Sequence, residues 1–509
     1  MSPLRRWSAL AVLVLPVLLI SIDMSVLGVA VPALSADLRP SASQLLWIID
    51  IYSFLLAGLL VLMGSLGDRF GRRRLLLIGA PAFGLASVLA AFSTTPAMLL
   101  AARALLGLGG ATLMPSTLGL LRTIFPARRE RQLAVAVWAA AFSAGAALGP
   151  VLGGLLLEHF WWGSVFLVNA PVMVVLVVAA ALLLPESRDP DPAPFDLPSA
   201  ALVIAGLLLV VYALKTGVRH PDLTAALAFV VGAAVLAAFV RRQRRHPHPM
   251  IDLALFTRPG FSAAVLVNVL AIFGLLGMMF YLPQWLLLVR GLGPALTGWW
   301  LLPLAVATIV GSLLSPFVAR VVPVRWVVVT GLLLLAVGYV AATRLGTGAG
   351  MGAFLAASLL VGLGAGLAET LTNDVVLTTA PPARAGAASA ISETGYEFGG
   401  AMGTAVLGTL GMAVYASRLR DVEGVPADDL EAGRQTLGAA HEIAAGLPQG
   451  AGEALREASS LAFASGISVV SWVCAAAMLL AVVIAWRGLG GRVVDGADEV
   501  ASVPEGAGV

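Results

Sequence analysis

The residues able to do chemistry in this sequence are a few charges set inside long apolar runs. Asp23 lies in the middle of a run at 8–33, Asp50 near one end of 45–66, and Arg103 within 97–121. Glu393 and Glu397 fall in 387–414, with Glu369 and Asp374 as weaker candidates in 351–376. An ionisable group at mid-bilayer costs at least ~2.5 kcal/mol on insertion scales, so it should face a cavity or a partner. At ~1.5 Å of rise per helical residue, Asp23 sits roughly 15 Å from the end of its run. The same arithmetic puts Glu397 near the midplane, with Glu393 four residues away on the same helical face. Burial favours a neutral carboxyl and a nearby cation favours a charged one. Such an acid can therefore trade a proton for an organic cation without covalent chemistry. Trp47, Tyr52, Trp138, Trp285, Trp299, Trp300 and Tyr396 could present ring faces to a cation, although interfacial anchoring is the plainer reading for most of the tryptophans. Asp50 fits the bilayer interface equally well, and Arg103 could snorkel outward.

These charges need helices to hold them. The chain has 509 residues, 59% apolar and 12% charged, with a mean hydropathy of +0.96; soluble domains carry about 25% charged residues. A spanning helix takes about 20 apolar residues. Fourteen such runs are legible: 8–33, 45–66, 75–93, 97–121, 132–156, 163–184, 199–216, 222–240, 261–286, 296–318, 326–343, 351–376, 387–414 and 462–486. The expected fold class is an all-α polytopic membrane protein. The first run is too long for a signal peptide and carries Asp23 in its middle.

Arginine placement orients the helices. One side collects Arg5, Arg6, Arg69, Arg72, Arg73, Arg74, Arg128, Arg129, Arg131, Arg241, Arg242, Arg244, Arg245, Arg258, Arg320, Arg325, Arg487 and Arg492. The short loops opposite hold Arg39, Arg219, Arg290 and Arg344 singly. By the positive-inside rule both termini are cytoplasmic. The basic excess orients helices and does not point to nucleic acid.

Several classes drop out. Lys215, the single lysine, lies in an apolar run, so no glycine-rich phosphate loop ending in Gly-Lys-Ser/Thr exists. Any pumping must draw on an ion gradient or a partner rather than on ATP bound in that way. Cys474 is the single cysteine, which rules out an intrachain disulfide. His159, His220, His246, His248 and His441 lie between apolar runs, and the His246/His248 pair reads as a solvated basic loop rather than a metal site. No zinc-hydrolase or serine-hydrolase signature is present, so an enzyme is not expected, nor a cofactor.

Two stretches have ordered small and charged residues. Gly64-Ser65-Leu66-Gly67-Asp68-Arg69-Phe70-Gly71-Arg72-Arg73-Arg74 joins the second and third runs. Its glycines permit a tight turn, and Asp68 can pair with an arginine or sit at a helix N-terminus. Gly145, Gly149 and Gly153 recur every four residues, lining one face around Pro150. Small faces let membrane helices pack backbone to backbone, and the proline can bend the helix.

The first stretch resembles the signature loop of the major facilitator superfamily. Residues 19–32, around Asp23, are similar to the first-helix motif of its fourteen-helix drug:proton antiporters. Residues 103–111 resemble the fourth-helix motif and residues 145–154 the fifth-helix antiporter motif. Residues 47–52 and 393–397 look like the branch exporting quaternary ammonium compounds and cationic dyes. The resemblance implies two six-helix bundles, at 1–190 and 251–509, with a linker and two-helix insert at 191–250 and an external loop at 415–460. Residues 185–198 form a proline-rich linker, and the external loop could hold short amphipathic helices. The implied activity is proton-coupled antiport of hydrophobic organic cations from the cytoplasm, in a bacterial inner membrane, with the protein acting as a monomer. Asp23, Glu393, Glu397 and Arg103 would couple protons. Asp23, Asp50, Tyr52, Trp138, Tyr396 and Glu397 would meet substrate. Gly64, Asp68, Arg69, Gly71, Arg72, Gly145, Gly149, Pro150 and Gly153 would serve gating. The match departs at Ser392, where that branch often has a second acid, and at 319–325, which lacks the Gly-Asp-Arg pattern. A proton-coupled uptake symporter, an exporter of one metabolite and a non-transporting sensor remain as alternatives.

Overall fold

The computed structural model describes residues 2–188, 196–217, 222–246, 249, 251, 253–380 and 385–489. Residues 189–195 of the linker, with Arg219, His220, His248 and Arg492, lie outside them, as do the side chains of Arg128, Arg129 and Lys215. Among the described residues the regular structure is all helical, with no strand, and fourteen helices are long and apolar enough to cross a membrane. In chain order they begin with α1 (Pro3–Leu38), α2 (Ala42–Phe70), α3 (Arg72–Ala91), α4 (Pro96–Ile124), α5 (Arg128–His159) and α6 (Ser164–Leu183). There follow α7 (Leu197–Gly217), α8 (Leu223–Arg245), α9 (Pro259–Val289), α10 (Pro294–Val318), α11 (Val324–Ala342), α12 (Met351–Thr379) and α13 (Ala385–Arg418). Two short helices, α14 (Ala427–Gly433) and α15 (Leu437–Gly446), precede the last long one, α16 (Gln449–Gly488).

Local chemistry starts these helices. Ser2 caps α1 ahead of Pro3, Thr95 caps α4 ahead of Pro96, and Asp222 caps α8. Ser41 and Gln44 form a reciprocal capping box at α2. Each satisfies amide groups that the first turn leaves without partners. Gly71, at φ 110°, ends α2 and begins α3 in one residue. A side chain there is doubly excluded, because the left-handed region disfavours one and a Cβ would strike the Glu186 carboxylate.

Helix α1 packs on α4, α5 and α6, α4 packs on α2 and α3, and α3 also packs on α6. Helices α9 to α13 and α16 pack similarly among themselves. The two groups meet along α2–α13 and α5–α10. Glycine sets both seams: a Cβ on Gly408 would enter Leu46, one on Gly298 would meet the Pro150 carbonyl, and one on Gly154 the Pro294 carbonyl. All these points lie toward the membrane side opposite both termini. There Arg39 also pairs with Glu442 of α15 at 2.6 Å, and the Ala42 amide donates to Gln435 at 3.4 Å. On the side of the termini, the hydrogen bonds of Arg5, Arg6, Arg72 and Arg73 stay within the first group, and those of Arg258 and Arg325 within the second.

Helix α7 packs on α8 and across the α2–α13 seam, where Val211 joins Phe54, Ala401 and Ala405 in a separate apolar cluster. The 415–460 segment differs from a simple loop. Helix α13 runs to Arg418, α14 and α15 follow, and α16 begins at Gln449, well before its apolar stretch. Apolar length marks only the part of a helix that lies in lipid; α16 continues beyond it because its first turns pack on α15.

Candidate functional site

The centre of the first group is an ion pair. Arg103 of α4 donates from Nη1 to Asp23 Oδ2 of α1 at 2.6 Å, with the two side chains 2% and 0% exposed. Arg103 Nε also donates to the Ile48 carbonyl at 3.1 Å. Asn169 of α6 completes the shell, its Nδ2 reaching Asp23 Oδ1 and Ser87 Oγ, each at 3.3 Å. The Arg103 guanidinium lies 4.5 Å from the Tyr52 ring centroid and 5.9 Å from that of Phe166. Two buried charges need this much company, because one left alone in an apolar interior is strongly destabilising.

This geometry bears on two alternatives that the sequence leaves open. Arg103 does not snorkel to an interface: Asp23 holds it inside the helix group. Asp50, at 1% exposed, is enclosed by neighbouring helices. A third expectation is narrowed, since the face of Tyr52 already carries a cation from within the protein.

The second group has acids of a different kind. Glu397 of α13 is 1% exposed, and neither carboxylate oxygen has a hydrogen-bond partner. Glu393 and Glu369 flank the same region, both within electrostatic reach of the Tyr396 hydroxyl, as Glu397 also is. Ser392, at the position of the missing acid, donates to Asn373 Oδ1 at 2.8 Å. The groups approach one another here. The Tyr52 hydroxyl, buried and without a hydrogen-bond partner, lies within electrostatic reach of both Asp23 and Glu397. Tyr396 meets Phe142 of α5 edge-on across the seam, with centroids 6.1 Å apart. Trp138 donates to Thr117 Oγ1 at 3.1 Å. Trp285 is fully buried and stacks on Phe354 at 5.7 Å, while Trp299 is 56% exposed, as an interfacial anchor would be.

The residues singled out for gating occupy two places. Asp68 accepts from Arg72 Nε at 2.8 Å, and Arg72 Nη1 reaches the Gly119 carbonyl at 2.9 Å. Glu186 accepts from the Arg73 amide at 3.1 Å, closing the loop onto the end of α6, while Arg69 is exposed and Gly64 faces Pro115. The second place is the face of Gly145, Gly149 and Gly153, where a Cβ would strike the Leu18 carbonyl, Ser25 Oγ and Val26 respectively. These glycines bring α5 onto α1, with Ser21 Oγ donating to the Phe142 carbonyl at 2.6 Å.

Sequence reasoning missed Asn169, Ser87 and Phe142. Asn169 could have been found as a lone amide in an apolar run. Ser87 and Phe142 have no such mark. Among the described residues, no three His, Cys, Asp or Glu side chains gather as metal ligands would.

A sequence-family model described as Major Facilitator Superfamily matches residues 13–404. The chain is 46% identical over 485 residues to the multidrug efflux pump LfrA of Mycolicibacterium smegmatis, covering 95% of this chain and 96% of that one. It is 37% identical to the methyl viologen resistance protein SmvA of Salmonella typhimurium, covering 95% and 98%. In fold it is similar to a bacterial homolog of the human lysosomal transporter Spinster, solved in an inward-facing, unoccupied conformation. The TM-score is 0.68 at 16% identity, over 96% of this chain and 99% of that one.

Proposed function

This chain belongs to the Major Facilitator Superfamily, and we propose that it exports hydrophobic organic cations in exchange for protons. It is a multi-pass membrane transporter, not an enzyme. The observation that carries the finer reading is the contrast between its two central acids. Asp23 is paired with Arg103, whereas Glu397 is buried with no hydrogen-bond partner for either oxygen. An uncompensated charge there would cost several kcal/mol. Glu397 is therefore the residue to which a proton belongs in this arrangement, and the residue that an arriving cation would discharge. Glu393, one turn away, is its alternate. Arg103 is the internal cation that Asp23 holds when substrate is absent, and Tyr52 links the two acids across the seam. Tyr396 of the second group, with Asp50 and Trp138 of the first, would line the substrate's path.

The rest of the scheme follows from the packing. The groups touch on the side opposite the termini, which supports an inward-facing arrangement if both termini are cytoplasmic, as the arginine bias requires. Residues 1–190 and 251–509 are then the two bodies that rock, in a bacterial inner membrane, with each monomer sufficient. The Asp68–Arg72 loop and the Gly145–Gly153 face around Pro150 would set how far they move. Export of organic compounds is also supported by what the relatives' names say of them, multidrug efflux and methyl viologen resistance.

Proteoliposomes decide it. With an imposed proton gradient, a lipophilic monocationic dye should be pumped and a neutral analogue pumped far less. Dissipating the gradient should stop the pumping. Gradient-independent transport would remove proton coupling, and dye moving with the proton would indicate a symporter.

A further inference from the structure

Helix α8 ends in Arg241-Arg242-Gln243-Arg244-Arg245, followed by His246. Positive-inside bias would explain charge here, but not its arrangement. Arg241, Arg242, Arg245 and His246 fall on one stripe with Ala238 and together line a concavity of about 380 Å³. Arg244 is exposed but does not line it. Arg242 is held in place from behind: its Nη2 donates to Asp196 Oδ1 at 2.8 Å and its Nε to Ser199 Oγ at 3.1 Å. Asp196 is only 6% exposed, and Gln243 fastens the same knot through Ser199 at 2.7 Å. Burial works against the Asp196 charge, yet the hydrogen bonds from Ser199 and Arg242 hold its carboxyl below the ordinary carboxylate range. That knot neutralises Arg242 and leaves Arg241 and Arg245, both exposed, to set the sign of the concavity. Toward the membrane the stripe continues through exposed Ala238, Ala234, Val231, Val230 and Leu227. Below the cationic pocket, this exposed apolar surface is where lipid tails would lie.

We infer that this concavity is a binding site for the phosphate headgroup of an anionic phospholipid, with the acyl chains along the exposed apolar stripe of α8. The occupant is a lipid rather than a free anion because the cationic pocket opens directly onto an apolar surface that only lipid covers. Guanidinium forks suit phosphate oxygens, and each basic residue near an anionic membrane surface adds a roughly similar increment of attraction. The site lies on the α7–α8 pair, which spans the α2–α13 seam through Val211. A bound lipid would therefore tether that pair to the leaflet. The inference uses the membrane placement of α8 and does not depend on what the protein exports.

Full-length protein in nanodiscs of zwitterionic lipid, titrated with phosphatidylglycerol and read by native mass spectrometry or a headgroup-labelled probe, tests it. Arg241→Gln with Arg245→Gln should weaken phosphatidylglycerol binding about thirtyfold, roughly fivefold per arginine. Arg244→Gln, the same charge change off the stripe, should leave it unchanged. Ala238→Trp fills the concavity without altering charge and should also displace the lipid. Glycerol phosphate without acyl chains should compete poorly. If Arg244→Gln costs as much as Arg245→Gln, or Ala238→Trp has no effect, only general surface charge is at work and the site does not exist. Competition by glycerol phosphate as strong as by the lipid would overturn the lipid assignment. All four positions are exposed or half-buried, so these substitutions should leave folding intact.

Discussion

Asp23 and Arg103 form a buried pair, and that makes single substitutions there ambiguous. Removing one partner leaves the other charged and alone, at a cost of about 3–5 kcal/mol in comparable interiors. Asp23→Asn should therefore lower both folded yield and proton-driven efflux. Asp23→Asn combined with Arg103→Gln removes both charges and should restore yield, measured by detergent-stable protein, while efflux stays lost. Efflux that returns with yield would make the pair purely structural. Glu397 lacks such a partner, so Glu397→Gln should cost little stability. The Glu393→Gln/Glu397→Gln protein should fold, bind a monocationic dye with no pH dependence and fail to pump it. Wild-type pumping by that double variant would remove both acids from the coupling scheme. His441 in α15 gives the control. Burial, aided by Arg456, pushes its imidazole down to about 4, so it stays neutral between about pH 5 and 8. His441→Gln should leave the pH profile of transport in that range unchanged.

At the scale of elements, backbone contact matters more than side-chain identity. A side chain on Gly149 meets Ser25 Oγ and the Ile22 carbonyl, so Gly149→Leu should separate α5 from α1. Overpacking typically costs about 1–3 kcal/mol, which a thermal-shift assay in detergent would register; no shift would mean the helices are not in contact there. The loop between α2 and α3 is different. Its Asp68–Arg72 pair is partly exposed and lies at the helix ends, far from Asp23. Asp68→Ala should slow transport while equilibrium dye binding changes little. A large loss of binding in folded protein would contradict that separation. The four-residue glycine spacing and the Gly-Asp-Arg order were both legible in the sequence, because they are local patterns. The contact of Gly71 with Glu186 was not, because it joins loops 115 residues apart in number by a close approach that no local pattern encodes.

For the whole molecule, the far-side closure rests on α2–α13, α5–α10 and the α14–α15 segment. The Arg39–Glu442 pair within it has one side chain 74% exposed, and solvent screens such exposed pairs so that they add little to stability. Arg39→Ala should therefore leave stability nearly unchanged. In a Cys474→Ser background, a cysteine at position 428, exposed in α14, should be labelled from outside the cell, and one at position 245 only from inside. Labelling of position 428 from inside only would invert the orientation.

Fourteen spanning helices, an all-α fold and the chain positions of Asp23, Arg103 and Glu397 were all determined by the sequence. In lipid every backbone polar group must bond within its own helix, so apolar length alone announces each span, and a charge inside one is conspicuous. Which helix faces which was decided only by the tertiary structure. Apolar surface is no guide to partners among helices that are apolar all round, where the choice falls to small-residue contacts and polar pairs. Asp23 and Arg103 are 80 residues apart, and their pairing depends on α1 and α4 crossing at one level. The same holds for Glu397, whose isolation is a property of the seam around it, and for the α7–α8 pair, whose place across α2 and α13 comes from the shape of Phe54, Val211 and Ala401 rather than from any periodicity.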